Sequence, residues 1–449
     1  KTLFMRRKNN LLIYSALIAA SSGLLLGFNL AVISGAEKSI QMVFGLNVFW
    51  HGFTVAIAIF GAVIGSLIAG KPADRYGRKQ LLIVIAFLYF VSGIGAALSM
   101  HWGGVLVYRF LGGLAVGAST IVGPTYIAEI APANKRGRLV VLFQLNVVTG
   151  ILLAFLSNYM ILLVTEQNSW RWMLGVQTIP AMLFFILAFA LPQTPRWLLM
   201  KNEREKAVKV LEEMGESCIN EFVASIEDSL RSEQVIKSGK LFTRKLRLPV
   251  ILAILVAFFN QFSGINAIIA YAPRVFEISG LDQTSSLFQS ISIGITNVIF
   301  TLLAVLFVDS FGRKKLILIG SVGLTLMLSL ISMAFLFERF HGILILIGLI
   351  GYIAFYAVTL GAVGLVYISE IFPTKVRAKG LALGGFTLWL SAALIAWFFP
   401  VITGNNSLST GYTFAFFALI MALQFFVVSR VLPETKGKSL EQIQKEFGL

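Results

Sequence analysis

Apolar residues run along this chain in long blocks, separated by short clusters of Lys, Arg, Asp and Glu. A block of about 20 apolar residues is long enough to cross a bilayer as a helix. Twelve such blocks can be placed, at roughly 11–34, 50–70, 80–99, 103–128, 138–164, 171–191, 248–276, 285–308, 315–336, 342–368, 379–402 and 410–431. The pattern predicts an all-α membrane protein. One sizeable polar stretch, Gln193 to Arg247, separates six blocks from six. Its part from 203 to 233 is charged, with Val208, Leu211, Met214 and Ile219 at helical spacing, which predicts short amphipathic helices. The expected divisions are an N-terminal six-helix bundle (1–192), linker helices (193–247), a C-terminal six-helix bundle (248–432) and a tail (433–449).

Composition agrees with the blocks. Of 449 residues, 57% are hydrophobic and 13% charged, against about 25% charged in soluble domains. The net charge of +16 does not point to nucleic acid, because the basic residues lie between the apolar blocks and not along a soluble face. They alternate instead. Arg6, Arg7 and Lys8 precede block 1; Lys71, Arg75, Arg78 and Lys79 follow block 2; Lys135, Arg136 and Arg138 follow block 4; Lys314 and Lys315 follow block 8; Lys375, Arg377 and Lys379 follow block 10. The positive-inside rule then places both termini in the cytoplasm of a cell membrane, plasma or inner. The first apolar run is long and lacks a convincing cleavage site, so it reads as a span and not a signal peptide. The single cysteine, Cys218, excludes an internal disulfide and a cysteine metal site. His51, His101 and His341 fall near the outer block ends and read as interfacial residues.

The two halves repeat. Asp74-Arg75-Tyr76-Gly77-Arg78-Lys79 returns as Asp309-Ser310-Phe311-Gly312-Arg313-Lys314. Glu129-Ile130-Ala131-Pro132 with Arg136 returns as Glu370-Ile371-Phe372-Pro373 with Arg377, and Leu191-Pro192-Gln193-Thr194 as Leu432-Pro433-Glu434-Thr435. Corresponding blocks keep one orientation, so the repeats are parallel. That architecture goes with a site near the midplane between halves and a rocking motion.

Block 7 carries the polar chemistry: Asn260, Gln261 and Asn266, with Gly264 and then Tyr271. An unpaired amide in hydrocarbon costs several kcal/mol. Amides both donate and accept, which suits a neutral ligand with many hydroxyls. They equally serve as glue between helices.

These motifs resemble the major facilitator superfamily, and within it the sugar porter family, including facilitative glucose transporters and bacterial sugar–proton symporters. The resemblance rests on the two D-x-x-G-R-K turns, Tyr108-Arg109, Pro124 to Glu129, Arg136-Gly137, Pro192 to Trp197, Gln261 to Ala267 and Pro433 to Gly437. It implies the major facilitator fold and transport of a monosaccharide or polyol by a monomer in lipid, with no cofactor. Gln144, Asn260, Gln261, Asn266, Asn297 and Trp389 match the family's sugar-contacting positions. Trp389 also reads as a packing residue. Tyr271 matches one of a tyrosine pair that closes the outer side. Asp74, Arg78, Glu129 and Arg136, repeated as Asp309, Arg313, Glu370 and Arg377 and joined by Glu434, match ion pairs that lock the cytoplasmic side. Solvated loop charges are the alternative.

Departures from the family pattern are informative. Gln193 stands where a glutamate is usual, weakening the first-half lock. Leu365, Ala357, Leu388 and Ala392 replace polar or aromatic residues, and Gly361-Ala362-Val363-Gly364 lacks the usual prolines, so span 10 is expected to bend at glycine. Asn29 replaces the aspartate that faces Arg109 in proton-coupled members, and an amide cannot exchange a proton. The resulting expectation is uniport. Proton symport through another carboxylate is the alternative, and a non-transporting sugar sensor a further one. Neither a nucleophile–base constellation nor a metal-ligand cluster nor a nucleotide loop is legible, so an enzyme is not expected.

Overall fold

A computed structural model describes residues 2–132, 135–165, 167–216, 218–235, 239–337, 342–373, 375–404, 406–438 and 442, with side chains except at 2–10, 232–235 and 307–310. His341 and the side chain of Asp309 lie outside the described residues. Among these residues there is no strand, and 12 helices are long and apolar enough to cross a membrane.

The helix bounds follow the apolar blocks at almost every end. The exception is span 1, which continues to Val43. Glu37 and Lys38 end the apolar run in the sequence, yet the helix carries on and Glu37 is buried, 3% exposed. Its charge is met by partners from other spans, described below. The linker forms the helices Pro195–Met200, Arg204–Met214 and Ile219–Val235. Leu198, Leu199, Ala207, Leu211 and Val223 make a small core of their own there.

Spans pack where glycines let backbones meet. A Cβ on Gly27 of span 1 would stand 1.9 Å from the Val147 carbonyl oxygen of span 5, and one on Gly150 of span 5 would stand 2.0 Å from that of Leu24. Such close approach replaces the hydrophobic drive that lipid cannot supply. Between the halves, span 2 packs on span 11, span 5 on span 8, and span 1 on the second part of span 7.

Spans 6, 7 and 10 are discontinuous, and span 6 consists of Ser169–Val176 and Thr178–Phe189, joined at Gln177. Span 7 consists of Arg247–Phe262 and Ile265–Ile278, joined through Ser263 and Gly264, and Gly264 has φ +91°, which glycine adopts without strain. A second kink falls at Tyr271, two residues before Pro273, where the backbone leaves helical values. Span 10 consists of Ile343–Val358 and Leu360–Ile371. It breaks at Thr359 (φ −114°, ψ −90°) and not at the expected glycines. The Thr359 hydroxyl donates to the Phe355 carbonyl at 2.5 Å, and Gly320 of span 9 leaves room for it. The break is thus accompanied by a polar side chain and by space opposite it.

Candidate functional site

The break in span 7 sits inside a chain of amides. Asn260 Nδ2 donates to the Leu360 carbonyl at 3.0 Å, beside the break in span 10. Asn260 Oδ1 accepts from Gln261 Nε2 at 3.0 Å and from the Tyr356 hydroxyl at 3.1 Å. Asn266 Nδ2 in turn donates to Gln261 Oε1 at 2.5 Å. Below this chain, Tyr352 donates to the Ser263 carbonyl at 3.0 Å. Both lone pairs of Asn260 Oδ1 and one of its N–H groups are thus committed to protein, mostly to span 10. Gln261 and Asn266 each keep one N–H and at least one acceptor position. Asn266 is half-buried while Asn260 and Gln261 are buried, so the open end of the network is at Asn266. Asn260 thus binds spans 7 and 10 together and keeps one N–H, while Gln261 and Asn266 keep both donor and acceptor capacity.

The other expected sugar contacts make no bond to this network. Gln144 is exposed, but it shares a helix face with Val148, Ile151 and Phe155, all buried. Its exposure is therefore toward space within the protein and not toward lipid. Asn297 is buried and accepts from Thr301 at a long 3.5 Å. Trp389 is 8% exposed and lies with Ala392, Ala393 and Ala396 of its own helix in a cluster otherwise drawn from the first half and the linker. Ala357 and Ala392 are buried, while Leu365 is 52% exposed and faces away. Tyr356, which lies beside Ala357 and is marked by no sequence pattern, supplies the span 10 hydroxyl that joins the amide chain.

Arg109 is 1% exposed in span 4. Its Nη1 donates to the Asn29 carbonyl at 3.1 Å and reaches Asn29 Oδ1 at 3.5 Å. Asn29 Nδ2 donates to Gln177 Oε1 at 3.1 Å. Gln177, 2% exposed at the joint between Ser169–Val176 and Thr178–Phe189, thus supports Asn29 from behind. Sequence reasoning missed it, although a glutamine inside an apolar block is itself a signal.

At the basic end the charges pair within each half. Arg78 Nη2 lies 2.9 Å from Asp74 and 3.0 Å from Glu129, and Thr194 donates to Glu129 at 2.6 Å. In the second half Arg313 Nη2 lies 3.0 Å from Glu370, and Thr435 donates to Glu370 at 2.6 Å. Glu434 accepts from the backbone N–H of Arg313 at 2.9 Å and of Lys314 at 3.2 Å, capping span 9. Its counterpart Gln193 donates to Gln80, and its Oε1 is buried without a partner among the described residues. Arg136 is exposed and forms no described ion pair; Arg377 has Nε and Nη2 buried without hydrogen-bond partners among the described residues. These two arginines stand outside the pairs that Arg78 and Arg313 make.

The opposite end is where the halves are tied. Tyr271, wholly buried, donates to the Ala396 carbonyl at 3.0 Å and stacks on Phe399 of span 11, with its ring 6.1 Å from that of His51. His51 is not interfacial. It is 1% exposed, and its Nε2 lies 2.5 Å from Glu37 Oε2. Trp397 of span 11 donates to the Phe49 carbonyl at the start of span 2 at 3.2 Å. A Cβ on Gly52 would stand 2.0 Å from the Trp397 carbonyl oxygen.

Two six-helix halves, discontinuous helices in the second half and polar groups gathered at the breaks define a membrane transporter of the two-bundle class. The model of the sugar (and other) transporter family matches residues 15–447. The chain is 36% identical over 437 residues to the arabinose–proton symporter of Bacillus subtilis, covering 95% of this chain and 93% of that one. It is 33% identical over 465 residues to the D-xylose–proton symporter of Escherichia coli K12, covering 95% and 94%. Among solved structures, the inward-open xylose transporter XylE from E. coli superposes with a TM-score of 0.86 at 32% identity, covering 97% of this chain and 99% of that one. XylE bound to 6-bromo-6-deoxy-D-glucose gives 0.81 at 32%, covering 98% and 100%. The chain belongs to the sugar (and other) transporter family, in the major facilitator superfamily.

Proposed function

We propose that this protein carries a monosaccharide across the membrane by alternating access, with Gln261 and Asn266 as principal hydrogen-bonding groups. The carrying observation is the amide chain at the break of span 7. It is pre-set by Asn260 and Tyr356, and its open capacity is both donor and acceptor, as a sugar hydroxyl requires. Gln144, Asn297 and Trp389 would complete the site from other spans. The relatives named for arabinose and xylose make a pentose the first substrate to test. The basic loops orient the chain with the Arg78 and Arg313 end, and both termini, in the cytoplasm. The contacts of Glu37, Gly52 and Trp397 then close the outer side. The expected two-bundle boundaries, near 192 and 248, fit rocking of one half against the other. The pairs around Glu129 and Glu370 would hold each half rigid at its inner end.

For energy coupling, the relatives favour proton symport over uniport. A symporter with Asn29 and Gln177 beside Arg109 must carry its proton on another carboxylate, and the described spans bury Glu37 and Glu129 most deeply. Uniport remains the second reading, on the specific ground that the groups around Arg109 do not titrate. Purified protein in vesicles with an imposed inward pH gradient separates them. Accumulation of labelled D-xylose or L-arabinose above the external concentration supports symport; counterflow without accumulation supports uniport.

A further inference from the structure

Glu37, Arg274 and His51 form a buried cluster that joins three spans and both halves. Arg274, on the second part of span 7, points Nη1 at Glu37 Oε2 at 3.3 Å and at Gln41 Oε1 at 3.4 Å. His51 of span 2 meets the same Glu37 oxygen at 2.5 Å. All three residues are at most 7% exposed. One residue past Glu37 and three past Arg274, Lys38 and Glu277 repeat the crossing at 2.5 Å, with Lys38 48% exposed. Tyr271 packs against His51 on the inner side of the cluster.

A buried carboxylate and guanidinium hold each other only while both stay in place, and separating them leaves each uncompensated. Span 1 and span 7 belong to different halves. Movement of the halves that opens this end must part Glu37 from Arg274 and release both into water. The pair therefore exists in one state of the cycle and not in the other, which is what a latch requires. The location adds to this: Arg274 lies three residues past Tyr271 and one past Pro273, on the piece of span 7 that the kink lets swing. The amide site lies on the same span, so the latch and the sugar contacts are linked through one short helix.

We propose that Glu37 and Arg274 are the latch that holds the outer side closed, with His51 packed against the carboxylate. They act on the transport cycle through the position of span 7 and not by touching sugar. The inference rests on the alternating-access reading above, and its test reads the gate directly, without sugar.

The test uses paired spin labels at Met42→Cys and Thr284→Cys, exposed positions at the outer ends of the two halves, in a Cys218→Ser background that removes the single native cysteine. Distances are measured in lipid vesicles. Glu37→Gln and Arg274→Gln should each raise the population with the longer distance on the order of tenfold. The double variant should raise it no further than either single one, because the two act as one pair. Lys38→Gln, at the exposed pair, should shift it little. A longer-distance population unchanged in both Glu37→Gln and Arg274→Gln would overturn the latch, and so would effects that add in the double variant. If the distances shift as expected in a protein that shows no sugar counterflow, the latch stands and the transport reading fails.

Discussion

Arg109 of span 4 gives its guanidinium to the main-chain carbonyl of Asn29 in span 1, at 3.1 Å, in a setting 1% exposed. Its only other described contact is the amide oxygen of the same residue, at 3.5 Å. A full positive charge is thus buried against dipoles alone. Asn29→Asp would supply a carboxylate, and Gln177 can turn its amide to donate to it. Charge-assisted bonds gain about 1.5–3 kcal/mol, and the carboxylate's own desolvation offsets part of this. The expected net gain is about 1 kcal/mol, seen as a higher unfolding temperature of the purified protein. A lower temperature would mean that Arg109 is already well compensated.

The amides of span 7 should separate by role. Asn260→Ala removes bonds to Leu360 and Tyr356, so it should lower the unfolding temperature, at a cost of about 1–3 kcal/mol. Gln261→Ala and Asn266→Ala should leave stability closer to wild type and weaken sugar affinity by about 0.5–1.5 kcal/mol per lost bond. Isothermal titration and thermal unfolding, run on the same samples, check the division.

The two halves differ at one capping residue. Glu434→Gln takes a charge from the start of span 9 and should cost about 0.3–1 kcal/mol. Gln193→Glu should add a similar amount at the start of span 3, where Gln193 Oε1 has no partner among the described residues. Opposite shifts in thermal stability are expected from the two changes; the same sign in both would contradict the repeat at this position.

On the alternating-access proposal, Gly52 is needed only when the end of the protein that holds Trp397 is closed. Gly52→Val places a side chain against the Trp397 carbonyl, within 2.0 Å at its Cβ. Exchange across the membrane should stop, while a sugar added outside should still bind. Exchange at the wild-type rate would show that span 2 and span 11 do not meet in the working cycle.

Much of this was legible in the sequence. The apolar blocks gave the spans, because hydropathy is a local property. The repeated D-x-x-G-R-K turns and Glu-x-x-Pro segments gave the two halves, and the span 7 motif gave the amides. What escaped was set by long-range contact. Glu37 ends a hydropathy run, and only Arg274, more than 200 residues later, makes it a buried residue. His51 looked interfacial for the same reason. The bonds of Asn260 to Tyr356 and Leu360, about 100 residues away, are likewise not written in the local sequence. The break in span 10 falls at Thr359, where Gly320 of span 9 leaves room for the side chain, a long-range fit that counting prolines and glycines does not register.

The central claim is that a sugar is held at span 7 and carried between two open states. Counterflow tests it most directly: vesicles loaded with unlabelled D-xylose or L-arabinose are diluted into the labelled sugar, and internal label is followed with time. Wild-type protein should give a transient overshoot, and the Gln261→Ala/Asn266→Ala double variant, folded by its unfolding temperature, should give none. An overshoot of wild-type size in that double variant would contradict the account.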